Sequence, residues 1–471
     1  MLVTALLDNQ SALRYQILNI LLEQSQPISL KILMDKVDIS KQTLTKYLDE
    51  INQMYQEEEL EACISTNPET IRIILDATLS FKDLCWPLIR NSLSVHVIEL
   101  LLNHPNLSNY QMASTLMISE ATLSRQLVQL NQALKEFSIQ IKNGMWYGPE
   151  EQVRYFYYEF YRHFYPDNEL FRLKHDANLD QSLAIFEHRL STNLTLVQRE
   201  KLSLWLGISQ KRWRQKDKDY SQLINRFKPY QEVVFFDRIY QAVLRYLIQF
   251  SLKLDEGEIY ALMAFILSMD LLDYSNNERL LGFGGPIAKA SQCFLNQVKN
   301  LTQKGQAVMR EEVLYCFGQS STKLYFFEGA ILQKPLVADP KCLSMVKIVM
   351  ETIFKRKFKK ANNITITISE TLNTLVDYLN LPPCKEHKIG VLLLGDPIKN
   401  SIQRLQLQKT LEQPPYITFE TFDQKKWLDY DLVITNVNLP EKNSVQVYRL
   451  KNSSMTYDFT QLKLIFRNLL Y

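Results

Sequence analysis

The feature that most constrains the fold is a phrase that occurs twice. "SKQTLTKYL" at residues 40–48 returns as "SEATLSRQL" at residues 119–127, and an Ile precedes each copy (Ile39, Ile118). The offset of 79 extends beyond the phrase, pairing Ser29 with Ser108, Leu33 with Met112, Val37 with Leu116 and Asn52 with Asn131. Each unit therefore predicts a capping Ser, a helix of about two turns, a short turn, and a second capping Ser (Ser40, Ser119) opening a longer helix. In that helix Leu44, Leu48 and Ile51, like Leu123, Leu127 and Leu130, recur at helical spacing and mark a buried face. The pattern is that of a helix-turn-helix, whose second helix can lie in a DNA major groove. Two ordinary helical hairpins packed on each other would show the same spacing.

The stretch after each copy separates these alternatives. Residues 62–76 read as strand, turn at Asn67-Pro68, strand; residues 137–150 alternate around Asn143-Gly144, a strong hairpin signal. Helix-turn-helix plus hairpin is a winged helix, and two in tandem point to double-stranded DNA as the partner. The expected contact set is Ser40, Lys41, Gln42, Thr43, Thr45 and Lys46 in the first copy. In the second it is Ser119, Ala121, Thr122, Ser124 and Arg125, with Lys142 on the wing. Lys46 and Arg125 occupy equivalent positions and suit phosphate or a guanine edge, while the Ser hydroxyls and free amides suit phosphate oxygens.

Charge opposes a simple version of this reading. Residues 1–160 carry 12 Lys+Arg against 19 Asp+Glu, a net of −7, and the remainder 42 against 32, a net of +10. A DNA-binding amino-terminal region is expected to be basic. With Asp49, Glu50 and Glu120 beside the few cations, each protomer neutralises few phosphates. Modest affinity, dependence on two protomers, and selection by DNA bending or groove shape are the expectations.

A chain of 471 residues exceeds one core and predicts three or four domains. Its 46% hydrophobic and 22% charged residues are globular values, and only 12 Gly favours a mostly helical protein. The six Cys are too scattered for a zinc knuckle or redox pair, which fits reduced cytoplasmic thiols. No metal or cofactor is expected. The longest apolar stretch, residues 259–272, is too short to span a membrane and reads as a buried helix. The start of the chain lacks signal-peptide character, so a cytoplasmic protein without membrane association is expected.

Beyond the second wing, "VRYFYYEFYRHFY" at residues 153–165 reads as a linker helix packing the DNA-binding part onto the next block of the chain. Long amphipathic helices are predicted at 191–206, 222–250 and 256–272, with "GFGGP" at 282–286 a boundary rather than a phosphate loop. A second helical block runs from 287 to about 381 and contains "FKRKFKK" at 354–360, read as a solvated helix face. After Pro382-Pro383 come strands near 389–394, 416–422 and 431–436, with helices near 398–411 and 459–470: a small α/β module with a parallel sheet. The fold class is thus mainly α, with domains 1–80 and 81–165 (winged helices, the second with its linker helix), 166–283 and 284–382 (all-helical), and 383–471 (α/β).

This order of parts resembles the Mga/AtxA-type transcriptional regulators of Gram-positive bacteria over essentially the whole chain, most specifically in "ISEATLSRQLVQLNQAL" and its hairpin. The resemblance implies two phosphotransferase-regulated helical domains and a tail similar to an enzyme IIB of the sugar phosphotransferase system. It also implies dimeric or higher assembly, activation of virulence or surface-protein genes, and control by phosphocarrier proteins acting on histidine. Where the family pattern ends in a phosphorylatable His this chain has Phe265, and the earlier position falls near Gly207 to Ser209. No His lies between His188 and His387, leaving His188 as the candidate phosphoacceptor besides His175. The tail's "GDPIKNS" lacks a Cys nucleophile, and Cys384 precedes the strand, so the tail reads as a dimerisation module. The competing readings are a phosphotransfer protein of sugar uptake, which needs the missing His and Cys, and an RNA-binding antiterminator, which would begin with a small β-rich module. No catalytic constellation is present in the pattern, and no enzyme is expected.

Overall fold

The computed structural model describes residues 1–166, 179–190, 193–248, 255–272, 284–301, 311–380, 387–393, 417–437 and 445–450, apart from single positions within them, and a few isolated residues beyond. Contacts divide the chain into two compact units, Met1–Asn380 and Leu381–Tyr471. The first is mainly helical with two small sheets, and the second is built on a four-stranded sheet.

In the first winged helix, Asp8 caps α1 (Asn9–Leu22) by accepting from the amides of Gln10 and Ser11. A two-residue strand β1 (Ile28–Ser29) leads into α2 (Leu30–Val37), and Ser40 caps α3 (Lys41–Glu57) through the Thr43 amide. Strands β2 (Ala62–Thr66) and β3 (Thr70–Leu75) complete an antiparallel sheet in the order β1-β3-β2. Helix α4 (Phe81–Ile89) starts at a Ser80/Asp83 capping box and packs on α1 and α3. The second winged helix repeats the plan in α5 (Leu93–Asn103), α6 (Asn109–Thr115), α7 (Glu120–Leu134), β4 (Gln140–Lys142) and β5 (Met145–Tyr147). Asn143 and Gly144 both take positive φ (48° and 70°), as a two-residue hairpin turn requires.

The repeat extends to details that a sequence pattern does not carry. The turn between the paired helices places Asp38 at φ 56° and its equivalent Met117 at φ 54°. Asn52 donates to the Ile64 carbonyl at 3.0 Å and accepts from the Ile64 amide at 2.7 Å; Asn131 does the same to Ile141 at 2.8 and 2.6 Å. Each Asn thus clamps the first wing strand to the second helix of its helix-turn-helix. Removing it leaves both backbone groups of a half-buried strand unpaired. Asn131→Ala is therefore expected to lower unfolding free energy by about 2 kcal/mol, read from urea denaturation, with a similar loss for Asn52→Ala. A loss below about 0.5 kcal/mol would mean that the wings are held by other contacts.

Helix α8 (Glu150–Phe164) joins the winged helices to the rest of the unit and is buried along nearly its whole length. Trp146 of β5 donates its indole N–H to the Tyr157 hydroxyl at 3.1 Å, and Tyr157 donates to the Ile98 carbonyl at 2.9 Å. The aromatic run is thus interior packing on both sides.

The first helical block comprises α9 (Leu179–Leu190), α10 (Leu196–Arg212), α11 (Ser221–Phe227), α12 (Val234–Ile248) and α13 (Glu256–Ser268). The single helix expected over 222–250 is two. Lys228, Pro229 and Tyr230 form a 3-10 turn between them, because the proline cannot donate the bond that would continue α11. The helix expected from 191 begins at Leu196, after the Thr195/Gln198 capping box. Helix α13 is buried on every side from Gly257 to Ser268, not amphipathic.

The second block comprises α14 (Gly285–Leu301), α15 (Glu311–Phe326), α16 (Pro340–Ile348) and α17 (Asn363–Asn380). The expected solvated helix face at 354–360 is a correction. Helix α16 runs into a π-helical turn at Val349–Ile353, and the chain then leaves helical geometry at Lys355, with φ 56°. Arg356 turns inward and donates to the carbonyls of Leu324 and Tyr325 at 3.2 and 2.6 Å, satisfying the carboxyl end of α15.

In the second unit β6 (His387–Leu392), β7 (Ile417–Thr421), β8 (Leu432–Thr435) and β9 (Gln446–Arg449) form a wholly parallel sheet in the order β7-β6-β8-β9. Strand β9 is absent from the sequence reading. The helices expected near 398–411 and 459–470, the "GDPIKNS" loop, Cys384 and His175 lie outside the described residues.

Candidate nucleic-acid interface

The edge of α3 facing away from the core carries Lys41, Gln42, Thr45 and Lys46, all exposed, with Asp49 and Gln53 one and two turns on. These residues and Glu50 line one shallow open groove. Thr43 is half-buried. Its hydroxyl lies 2.8 Å from that of Ser40, and the Ser40 hydroxyl also accepts from the Thr43 amide at 3.2 Å. The second copy matches: Ser119 accepts from the Thr122 amide at 3.1 Å, and Ala121, Ser124 and Arg125 stand exposed. The serines expected to greet phosphate therefore serve first as helix caps, which fixes the first turn of each helix with its free amides outward.

The cations are partly engaged. Lys46 lies 3.7 Å from Glu50, and Glu50 is itself gripped by Arg14 at 2.6 Å. Arg14, stacked over Tyr47, was missed by sequence reasoning because it lies 36 residues from its partner. Arg125 folds back to the Ala121 carbonyl at 3.4 Å, and Thr45 bonds the Lys41 carbonyl at 3.0 Å. Lys142 extends over the Tyr147 ring, 5.8 Å from its centroid. Arg72 on β3 adds an exposed cation to the first wing that the sequence reading did not include.

The two wings differ. Gly144 is buried at the tip of the second, where an added Cβ would stand 1.5 Å from the Leu107 carbonyl oxygen. Leu107 is the repeat equivalent of Ile28 in β1, so the short second wing turns its tip in against the chain that replaces a third strand. Around α7 the exposed side chains are more apolar: Tyr110 (69%), Met117 (93%) and Val128 (70%).

Residues 77–161, from just before α4 to near the end of α8, match the family model of the Mga helix-turn-helix domain. The second winged helix is a Mga helix-turn-helix domain. This match supports a DNA-binding transcriptional regulator of the Mga type. The matched region includes α4, α7 and the second wing, hence Ser119 to Arg125 and Lys142, while the first winged helix up to β3 lies before it. No curated protein matches the chain.

Outside the Mga domain, His188 is exposed on α9 beside Glu187, which pairs with Arg199 at 2.7 Å. Phe265, at the position where the resemblance calls for His, is fully buried and stacked 4.3 Å from Trp205. Among the described residues no cluster could hold a metal ion, and no helix is long and apolar enough to cross a membrane.

Proposed function

We propose that the regulator binds duplex DNA through the exposed edges of α3 and α7 together, and activates transcription of virulence or surface-protein genes. The observation that carries this reading is the matched geometry of the two edges: equivalent caps, equivalent left-handed turns and equivalent Asn clamps. Lys46 and Arg125 occupy the same place in each, with Ser40, Lys41, Gln42, Thr43 and Thr45 beside the first and Ser119, Ala121, Thr122, Ser124 and Lys142 beside the second. Because acidic neighbours offset the few cations, affinity is modest and DNA shape supplies much of the selection. Two protomers then double the number of phosphates engaged, and the α/β tail is the proposed dimerisation module. His188 is the proposed acceptor for phosphocarrier proteins.

Gel shift on a curved AT-rich duplex at fixed salt tests the groove assignment. Lys46→Ala and Arg125→Ala are each expected to weaken binding about fivefold to tenfold, and the double variant roughly multiplicatively. Unchanged retention in both single variants would refute it. Sedimentation of the free protein at the same concentrations reads whether binding follows assembly.

A further inference from the structure

A cleft of about 510 Å³ opens between the first winged helix and the segment that follows α15. Its apolar wall is formed by Leu2, Ile20, Leu22, Phe81 and Pro335. The amino-terminal residues and this segment are tied together by the Leu2–Leu332 bridge and by the Val3 amide donating to the Leu332 carbonyl at 3.0 Å. The cleft thus has walls from α1, α2, α4 and the second helical block, all within the first unit. None of these residues belongs to the groove-facing edges.

Three polar features set what the cleft can take. The Tyr15 hydroxyl is buried in its wall beside the Asn19 side chain. Lys36 and Lys334 stand at the rim with Glu23, which engages Lys334 at 3.1 Å. Lys36, in the last turn of α2, meets no carboxylate within ion-pair distance among the described residues. A volume of several hundred Å³ with an apolar wall and a few convergent polar groups is the ordinary form of a small-molecule site. We propose that this cleft binds a small amphipathic organic anion, its apolar body against Ile20, Leu22 and Phe81 and its charge on Lys36. Such a ligand bridges the first winged helix and the helical block, and so is placed to fix one relative to the other.

The test uses the full chain and two fluorescent probes that differ only in charge: 8-anilinonaphthalene-1-sulfonate and its neutral parent N-phenyl-1-naphthylamine. One saturable equivalent of the sulfonate per protomer is expected. Lys36→Gln should weaken the sulfonate about threefold to fivefold while leaving the neutral probe within about twofold, as an exposed charge contact predicts. Ile20→Trp, which fills the cleft, should abolish both, with far-UV circular dichroism confirming that the variant is folded. Sulfonate binding that is unsaturable, or equal in the wild type and Lys36→Gln, overturns the proposal. If Ile20→Trp fails to fold, Leu22→Trp replaces it, and undiminished binding in a folded filling variant overturns the proposal equally.

Discussion

Arg154→Met is expected to destabilise the first unit by about 3–5 kcal/mol, the cost of removing one member of a buried ion cluster. Arg154 on α8 is 1% exposed. Its guanidinium donates to Glu150 at 2.9 Å, to Glu258 at 2.7 and 2.9 Å, and to the Tyr220 hydroxyl at 2.8 Å. Glu150 in turn holds Arg212 at 2.6 Å, and Lys218 reaches Glu258, so α8, α10, α13 and the stretch before α11 meet at one charge centre. Methionine would fill the space but leave the buried Glu258 with Lys218 as its one cationic partner among the described residues, beside the Tyr220 hydroxyl that donates to it at 2.8 Å. Burial by itself would raise the Glu258 pKa, yet Arg154 and Lys218 bring it down to about 2. A depressed carboxylate contributes stability that is complete above its unfolded value near 4.5 and is lost as pH falls through about 2. The difference between wild type and Arg154→Met should therefore be full at neutral pH and shrink between about pH 4.5 and 2. Urea midpoints measured across that range check both statements, and a gap that is small at pH 7 would show that the cluster adds no net stability.

Glu151, next to Glu150 in the chain, shifts in the opposite direction. Glu151 is fully buried, and neither carboxylate oxygen has a hydrogen-bond partner among the described residues. Burial drives its pKa up to about 7, with Arg226 opposing the rise and Glu150 and Asp219 adding to it. A raised carboxyl contributes fully below the unfolded value near 4.5, and that contribution is lost as pH rises through about 7. Glu151→Gln mimics the protonated form at every pH. Its gain in stability is expected to be near zero at about pH 4.5, to grow with pH, and to level off above pH 7 at about 3 kcal/mol. A gain independent of pH, or a loss at pH 8, would mean that Glu151 has a partner in solution.

The winged helices were legible because their signals are local. A Ser cap and leucines at helical spacing need no knowledge of the rest of the chain, and Asn143-Gly144 names its own turn. The role of Asn52 and Asn131 was visible only as a coincidence of the repeat, since their partners Ile64 and Ile141 are brought near by tertiary packing. Glu150 and Arg154 stand at i, i+4 in the sequence, but Glu258 lies 104 residues away from Arg154. In the helical blocks, apolar spacing carried the reading through Lys228-Pro229-Tyr230, although the proline marked the break. The basic run after Ile353 was misread because charge spacing alone does not show that Arg356 bonds carbonyls inside. The parallel sheet of the tail was readable from its continuous apolar strands, save β9, whose "QVYR" is too short and mixed to stand out.

The winged helices and the helical blocks of the first unit share α8 as common interior. A helix covered along nearly its whole length leaves little seam along which the two could separate and work at a distance, as beads on a flexible string do. Whatever shifts the helical blocks must move the Mga domain's own foundations, through Trp146 and Tyr157, rather than tug at it from outside.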